Sequence, residues 1–179
     1  MIQEKYSKIE SLAVDIGFQA APLDPSILQA DQRVREMCAE NRCRKYDASW
    51  SCPPACGPLD VLSQKMHSYS DGILLTSVIP IDGDYDLDGI RKGEILHKKN
   101  FDTLVRQTRI LFSNCMPLGA GSCSRCVKCT YPDAPCRFPD KLYPSMEACG
   151  LFVSRVCDQC GLKYNNGPGT ITFVSLILF

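Results

Sequence analysis

Thr170-Ile171-Thr172-Phe173-Val174-Ser175-Leu176-Ile177-Leu178-Phe179 is the last run of the sequence, and its pattern sets the architecture. β-Branched and aromatic residues fill its first half, and both alternating faces are apolar from Leu176 onward. A strand with one face in water alternates apolar and polar residues. One that is apolar on both faces belongs inside a sheet covered on both sides. Gly72-Ile73-Leu74-Leu75-Thr76-Ser77-Val78-Ile79-Pro80 is a second run of this kind.

Helical spacing recurs around these two runs. Ile2, Tyr6, Ile9, Leu12, Ala13 and Ile16 follow three- and four-residue steps. Asp31 is placed to cap a short helix carrying Val34, Met37 and Cys38, and Leu59 to Tyr69 returns to helical spacing. A helix from about Arg91 to Phe112 is expected to bury Ile95, Phe101, Leu104, Val105, Thr108, Leu111 and Phe112. Ser145 is placed to cap a further helix from Met146 to Cys160, with Glu147 in its first turn and Gly161 just past its end. The expectation is a single α+β domain over 1–179: a small mixed sheet flanked by helices, with cysteine-rich loops at about 38–58 and 115–144.

With 45% hydrophobic residues the chain can bury a real core. Twenty basic residues balance twenty acidic ones, so the basic excess of a nucleic-acid binder is missing. No run approaches the roughly 18–20 apolar residues that cross a bilayer, so no membrane partner is expected. Met1 to Tyr6 opens no signal peptide, and the expected location is cytoplasmic. There is no P-loop, dinucleotide fingerprint or H-E-x-x-H. In a reducing cytosol the twelve cysteines read as metal ligands or catalytic thiols rather than disulfides.

Cys123-x2-Cys126-x2-Cys129-x6-Cys136 is the sharpest pattern. Three cysteines at successive three-residue steps let one loop wrap three corners of a compact centre, and a fourth from a nearby turn closes it. Gly119 and Gly121 precede the first ligand and could bring backbone N–H groups toward anionic sulfur. The set that comes first along the chain is Cys38-x4-Cys43-x8-Cys52-x3-Cys56, in which Pro53 and Pro54 stiffen the loop after Cys52. Trp50, the only tryptophan, stands two residues before Cys52 and could screen a centre from water. Arg33 to Lys45 holds five basic residues against two acidic ones, a balance suited to an anionic site or to a solvated face.

Zinc is the alternative metal, but its pairs normally come as separate knuckles, often completed by histidine. His67 and His97 both fall in expected helices away from the loops and read as polar helix residues. Cys115, Cys149, Cys157 and Cys160 remain. Cys149 and Cys160 share one face of the expected helix with Phe152, Val153 and Val156, so a buried stripe is favoured, with a third centre as the alternative. Asp84-x-Asp86-x-Asp88-Gly89 opens like a calcium loop but has Ile95 where the closing glutamate belongs, and reads as a solvated acidic loop.

Trp50-Ser51-Cys52-Pro53-Pro54, Gly121-Ser122-Cys123-x2-Cys126-x2-Cys129, Pro135-Cys136-Arg137-Phe138-Pro139 and Pro144-Ser145-Met146-Glu147-Ala148 together resemble the predicted metal-binding proteins grouped as domain of unknown function 2284. The resemblance runs in order over about Val14 to Phe179. It implies a cysteine-ligated, iron–sulfur centre in an anaerobe-type cytosolic protein and no particular reaction. Its pattern does not demand cysteine at 115, 149, 157 or 160. The function expected is that of a protein with two [4Fe–4S] clusters, or three if the remaining cysteines join in, passing low-potential electrons to a redox partner protein. The alternatives are an enzyme or sulfur-handling protein using an open iron site, and a redox-silent zinc protein.

Overall fold

The computed structural model describes residues 2–83 and 85–179, and of Ile2 the backbone only. The elements in chain order are α1 (Ile2–Asp15), β1 (Gln19–Leu23), α2 (Gln32–Ala39), α3 (Leu59–His67), β2 (Gly72–Pro80), α4 (Leu87–Leu111), β3 (Met116–Leu118), α5 (Val153–Gln159) and β4 (Thr170–Leu178). Short 3-10 turns fall at Pro25–Ile27, Pro139–Lys141 and Glu147–Cys149.

The two apolar runs pair with each other along their full length, antiparallel, from Gly72 opposite Leu178 to Pro80 opposite Thr170. β1 lies along the outer edge of β2 and β3 along that of β4, giving the order β1-β2-β4-β3. The α+β class holds, and all three ladders are antiparallel. The parallel contact is a bridge between Gly119 and Ser145. β1 and β3 have no counterpart among the expected elements. Each is short and carries a proline, Pro22 or Pro117, which an edge strand tolerates because one row of its N–H groups has no neighbour to serve.

Alternation along the central strands feeds two cores. Ile73, Leu75 and Ile177 pack with Phe179 against Ile9 and Ala13 of α1 and Phe101, Leu104 and Val105 of α4. On the opposite face Leu74, Val174, Leu176 and Leu178 pack with Leu28, Leu62, Met66, Met146 and Val156. Each such side chain contributes about 1.5–3 kcal/mol when fully buried. The sheet is therefore the rigid body from which the cysteine loops hang.

Three expectations need correction. α4 starts at Leu87 rather than Arg91, because Asp86 caps it by accepting the Gly89 N–H at 2.8 Å. Ile95 is 56% exposed and not part of the buried face. The helix expected from Met146 to Cys160 is broken. Ser145 does cap its start, accepting the Ala148 N–H at 3.0 Å, but only a 3-10 turn follows before Gly150 turns left-handed (φ 77°). A Cβ at Gly150 would stand 2.7 Å from Leu59 Cδ1 and 3.1 Å from the Asp31 nitrogen, so glycine is needed for space as well as for conformation. Of the acidic calcium-like pattern, Asp84 lies outside the described residues, and Asp88 pairs with Lys92 at 2.6 Å.

His97 also departs from expectation. Instead of a polar helix residue it is a core residue, buried between α4 and the sheet, with Nδ1 2.8 Å from Ser77 Oγ and Nε2 2.8 Å from Ser175 Oγ. A neutral imidazole has one donor and one acceptor nitrogen, and a serine hydroxyl can answer either.

Candidate metal centres

The loop after β3 has little apolar material of its own, and cations from α4 pin it. Lys98 Nζ donates to the Ser122 carbonyl at 2.6 Å, Arg109 to the Asp140 carbonyl at 2.6 Å, and Arg125 pairs with Asp102 of α4. Held in this way, Cys123, Cys126, Cys129 and Cys136 line one cavity, together with Ser49 and Trp50. The cavity among them is small, about 20 Å³. Burial pushes the Cys129 thiol up, but hydrogen bonds from the Tyr131 and Trp50 N–H groups, the Ser49 hydroxyl and the Thr130 N–H outweigh it and hold the pKa below its ordinary value. The Phe138 N–H donates to Cys136 Sγ at 3.4 Å.

The first set sits where α2 ends. Cys38 belongs to the last turn of that helix, and Cys43 follows in a run with left-handed backbone at Asn41, Arg44 and Asp47. Cys52 is buried, Cys56 half-buried and Cys43 exposed. Burial pushes Cys38 up to about 11, with Glu147, Cys52 and Cys43 adding to the effect, so these groups are electrostatic neighbours. Burial also raises Cys52 and Cys56, while Arg35 pulls Cys56 back. Arg35 donates to the Gly57 carbonyl at 2.7 Å, and its buried Nε has no protein partner. The basic stretch from Arg33 to Lys45 is mostly solvated, with Arg33 paired to Asp31 and Arg42 to Glu40, whereas Arg35 turns inward. Glu147 Oε2 is a second buried atom without a partner on this side.

The two loops are fastened to each other. Trp50 Nε1 donates to the Ala134 carbonyl at 3.1 Å, the Tyr131 hydroxyl to Asp47 at 2.8 Å, and the Cys123 N–H to Ser51 Oγ at 2.9 Å. The Trp50 and Tyr131 rings meet edge-to-face at 4.9 Å. Trp50 therefore belongs to the cavity of the second set, although it stands beside Cys52 in sequence. Ser49 and Ser51, both buried and 3.1 Å apart through their hydroxyls, join the site although the cysteine spacing does not point to them. In the sequence they flank Trp50, and Ser51 falls within the Trp50-Ser51-Cys52-Pro53-Pro54 motif. The Gly119 N–H donates to the Pro144 carbonyl at 2.9 Å and so is not available to a sulfur.

The remaining cysteines do not come together as one group. Cys115 packs into the core on the α1 and α4 side, whereas Cys149, Cys157 and Cys160 belong to the core on the opposite face. Cys149 is fully buried, and burial pushes it up to about 12, with Cys56 next among the causes. Broken at Gly150, the segment puts Cys149 beside the first set rather than on a helix with Cys160.

Among the described residues no three His, Cys, Asp or Glu side chains stand close enough to hold one metal ion as they are. The donor chemistry nonetheless fits a thiophilic group. Four cysteines face one cavity, N–H donors reach two of their sulfurs, and a buried guanidinium nitrogen stands spare beside the other set. No helix among the described residues is long and apolar enough to cross a membrane. The class so defined is a cysteine-rich α+β protein with a thiol-lined cavity. Within that class the chain belongs to the family of predicted metal-binding proteins DUF2284, which matches residues 21–179. No curated protein and no solved structure matches the chain.

Proposed function

We propose that the chain is an iron–sulfur protein carrying two [4Fe–4S] clusters, one on Cys38, Cys43, Cys52 and Cys56 and one on Cys123, Cys126, Cys129 and Cys136, and that it passes low-potential electrons to a partner protein in the cytoplasm. The observation that carries this reading is the single cavity lined by all four cysteines of the second set. A lone zinc ion with Zn–S bonds of about 2.3 Å draws its thiolates to about 3.8 Å of one another. A cluster seats each thiolate on a different iron, so a wider ring of sulfurs serves it. The cluster supplies one-electron chemistry when bound. The chain's own groups fix its environment: the N–H donors at Cys129 and Cys136 stabilise thiolate charge, and Trp50 walls the cavity.

Protein purified anaerobically from iron-replete cells tests the redox part. Broad absorption near roughly 400 nm that bleaches with dithionite, accompanied by a paramagnetic resonance signal, is expected. Absorption that dithionite leaves unchanged, with no such signal, contradicts electron transfer.

A further inference from the structure

α4 and the second cysteine loop enclose a groove of about 650 Å³, inside the roughly 300–1,000 Å³ range of small-molecule sites. Lys98, Lys99, Arg106, Arg109, Arg125 and Lys141 line it, against only two carboxylates, Asp102 and Asp140. Arg125 is answered by Asp102, and Lys98 by Glu94. Lys99, Arg106, Arg109 and Lys141 have no carboxylate partner among the described residues. In a chain of zero net charge, this is a local concentration of one sign.

Two ordinary explanations fall short. An exposed helix face interleaves its charges, as α4 itself does where Lys92 pairs with Asp88 four residues earlier. The groove breaks that rule on a concave wall, where like charges repel unless an anion answers them. The cations could instead balance a cluster in the neighbouring cavity, since Cys123, Arg125 and Lys141 line both spaces. One oxidised cluster with four thiolates carries about −2, and the six cations less Asp102, Asp140 and the Glu94 that answers Lys98 leave three positive charges, more than that.

The lining also describes the ligand's body. Phe101 and Tyr143 meet edge-to-face at 5.6 Å, and the Arg109 and Arg125 guanidinium groups lie 6.0 and 5.5 Å from the Tyr143 ring centre. The Asp140 carbonyl holds Arg109, and Asp102 with the Lys141 carbonyl holds Arg125, before any ligand arrives. Ile95, exposed against expectation, adds an apolar contact at the groove wall. Phe101 and Tyr143 are largely buried, so Ile95 is the apolar surface that a ligand meets, and that surface beside unpaired cations suits a molecule with a carbon skeleton and two or more negative charges.

We propose that this groove binds a small organic polyanion, a di- or tricarboxylate or a phosphate ester, against the loop that carries Cys123. The site rests on side-chain charge and shape and does not depend on which metal the loops hold.

Calorimetric titration of the full-length, metal-loaded protein at low ionic strength tests it, with propane-1,2,3-tricarboxylate and fructose 1,6-bisphosphate as probes. Saturable one-to-one binding below about 1 mM is expected for at least one probe. The tighter probe decides between carboxylate and phosphate recognition. Lys99→Ala and Arg106→Ala should each weaken that binding roughly tenfold, while Lys92→Ala, on the same helix but outside the groove, leaves it unchanged. Failure of both probes to saturate overturns the proposal. So does an equal loss in Lys92→Ala, which would mean unspecific attraction to a basic helix.

Discussion

Ser51 Oγ accepts the Cys123 N–H at 2.9 Å and lies 3.6 Å from Cys52 Sγ, so one buried hydroxyl touches both cysteine loops. The eight thiols proposed as ligands leave four that pack in or against the cores, although Cys56 also packs against one of them. Cys126→Ser should remove about half of the bound iron, whereas Cys149→Ala should leave the iron content unchanged. Metal analysis of the two variants checks both, and iron loss from Cys149→Ala would move Cys149 into the ligand set. His97 gives a second residue-scale test. Burial takes its pKa down to about 3, with Lys98 adding to the effect, from about 6.5 in an unfolded chain. Between those values the folded state holds fewer protons than the unfolded one. Its contribution to stability is therefore complete above about pH 6.5 and drains away as pH falls toward about 3. The His97 ring resonances should stay fixed from about pH 7.5 to 5, and a midpoint near 6.5 would contradict its burial. The proposed ligand cysteines stand out in the sequence because their spacing is local. Ser51 and Arg35 do not, since their partners Cys123 and Gly57 lie far along the chain, and Ser49 does not because only the folded arrangement brings it to the cavity of Cys123.

At the scale of elements, Gly150 is the most sensitive joint. It lets the chain turn between the 3-10 turn and α5, and its carbonyl accepts the Asp31 N–H at 2.9 Å just before α2. Gly150→Ala should cost about 2 kcal/mol or more, from the left-handed backbone and the crowding against Leu59 and Asp31 together. Urea unfolding measures this, and a variant as stable as the parent would refute the account of the joint. The same glycine explains why the expected helix to Cys160 failed. Helical spacing continues through Gly150, and nothing local announces that Leu59 and Asp31 crowd the position. β2 and β4 were legible because their apolar runs are long and continuous. β1 and β3 became strands only through the ladders that β2 and β4 offer, and their own prolines pointed elsewhere.

The whole molecule consists of a doubly covered sheet and two loops that the sheet does not explain. Three hydrogen bonds and one aromatic contact join the loops. Each bond contributes about 0.5–1.5 kcal/mol net, and the ring pair a similar amount. Ordering a single residue costs about 1–2 kcal/mol of backbone entropy. With the contacts from α4 to the second loop and from Arg35 to Gly57, these bonds order only part of stretches as long as 38–58 and 119–144, and metal binding would supply a stronger clasp. In the proposed function the cysteines form that clasp. The most direct test is the iron and zinc content of protein purified anaerobically under iron-replete conditions. About eight irons per chain, with little zinc, is the predicted result. A colourless protein holding zinc and no iron would contradict it.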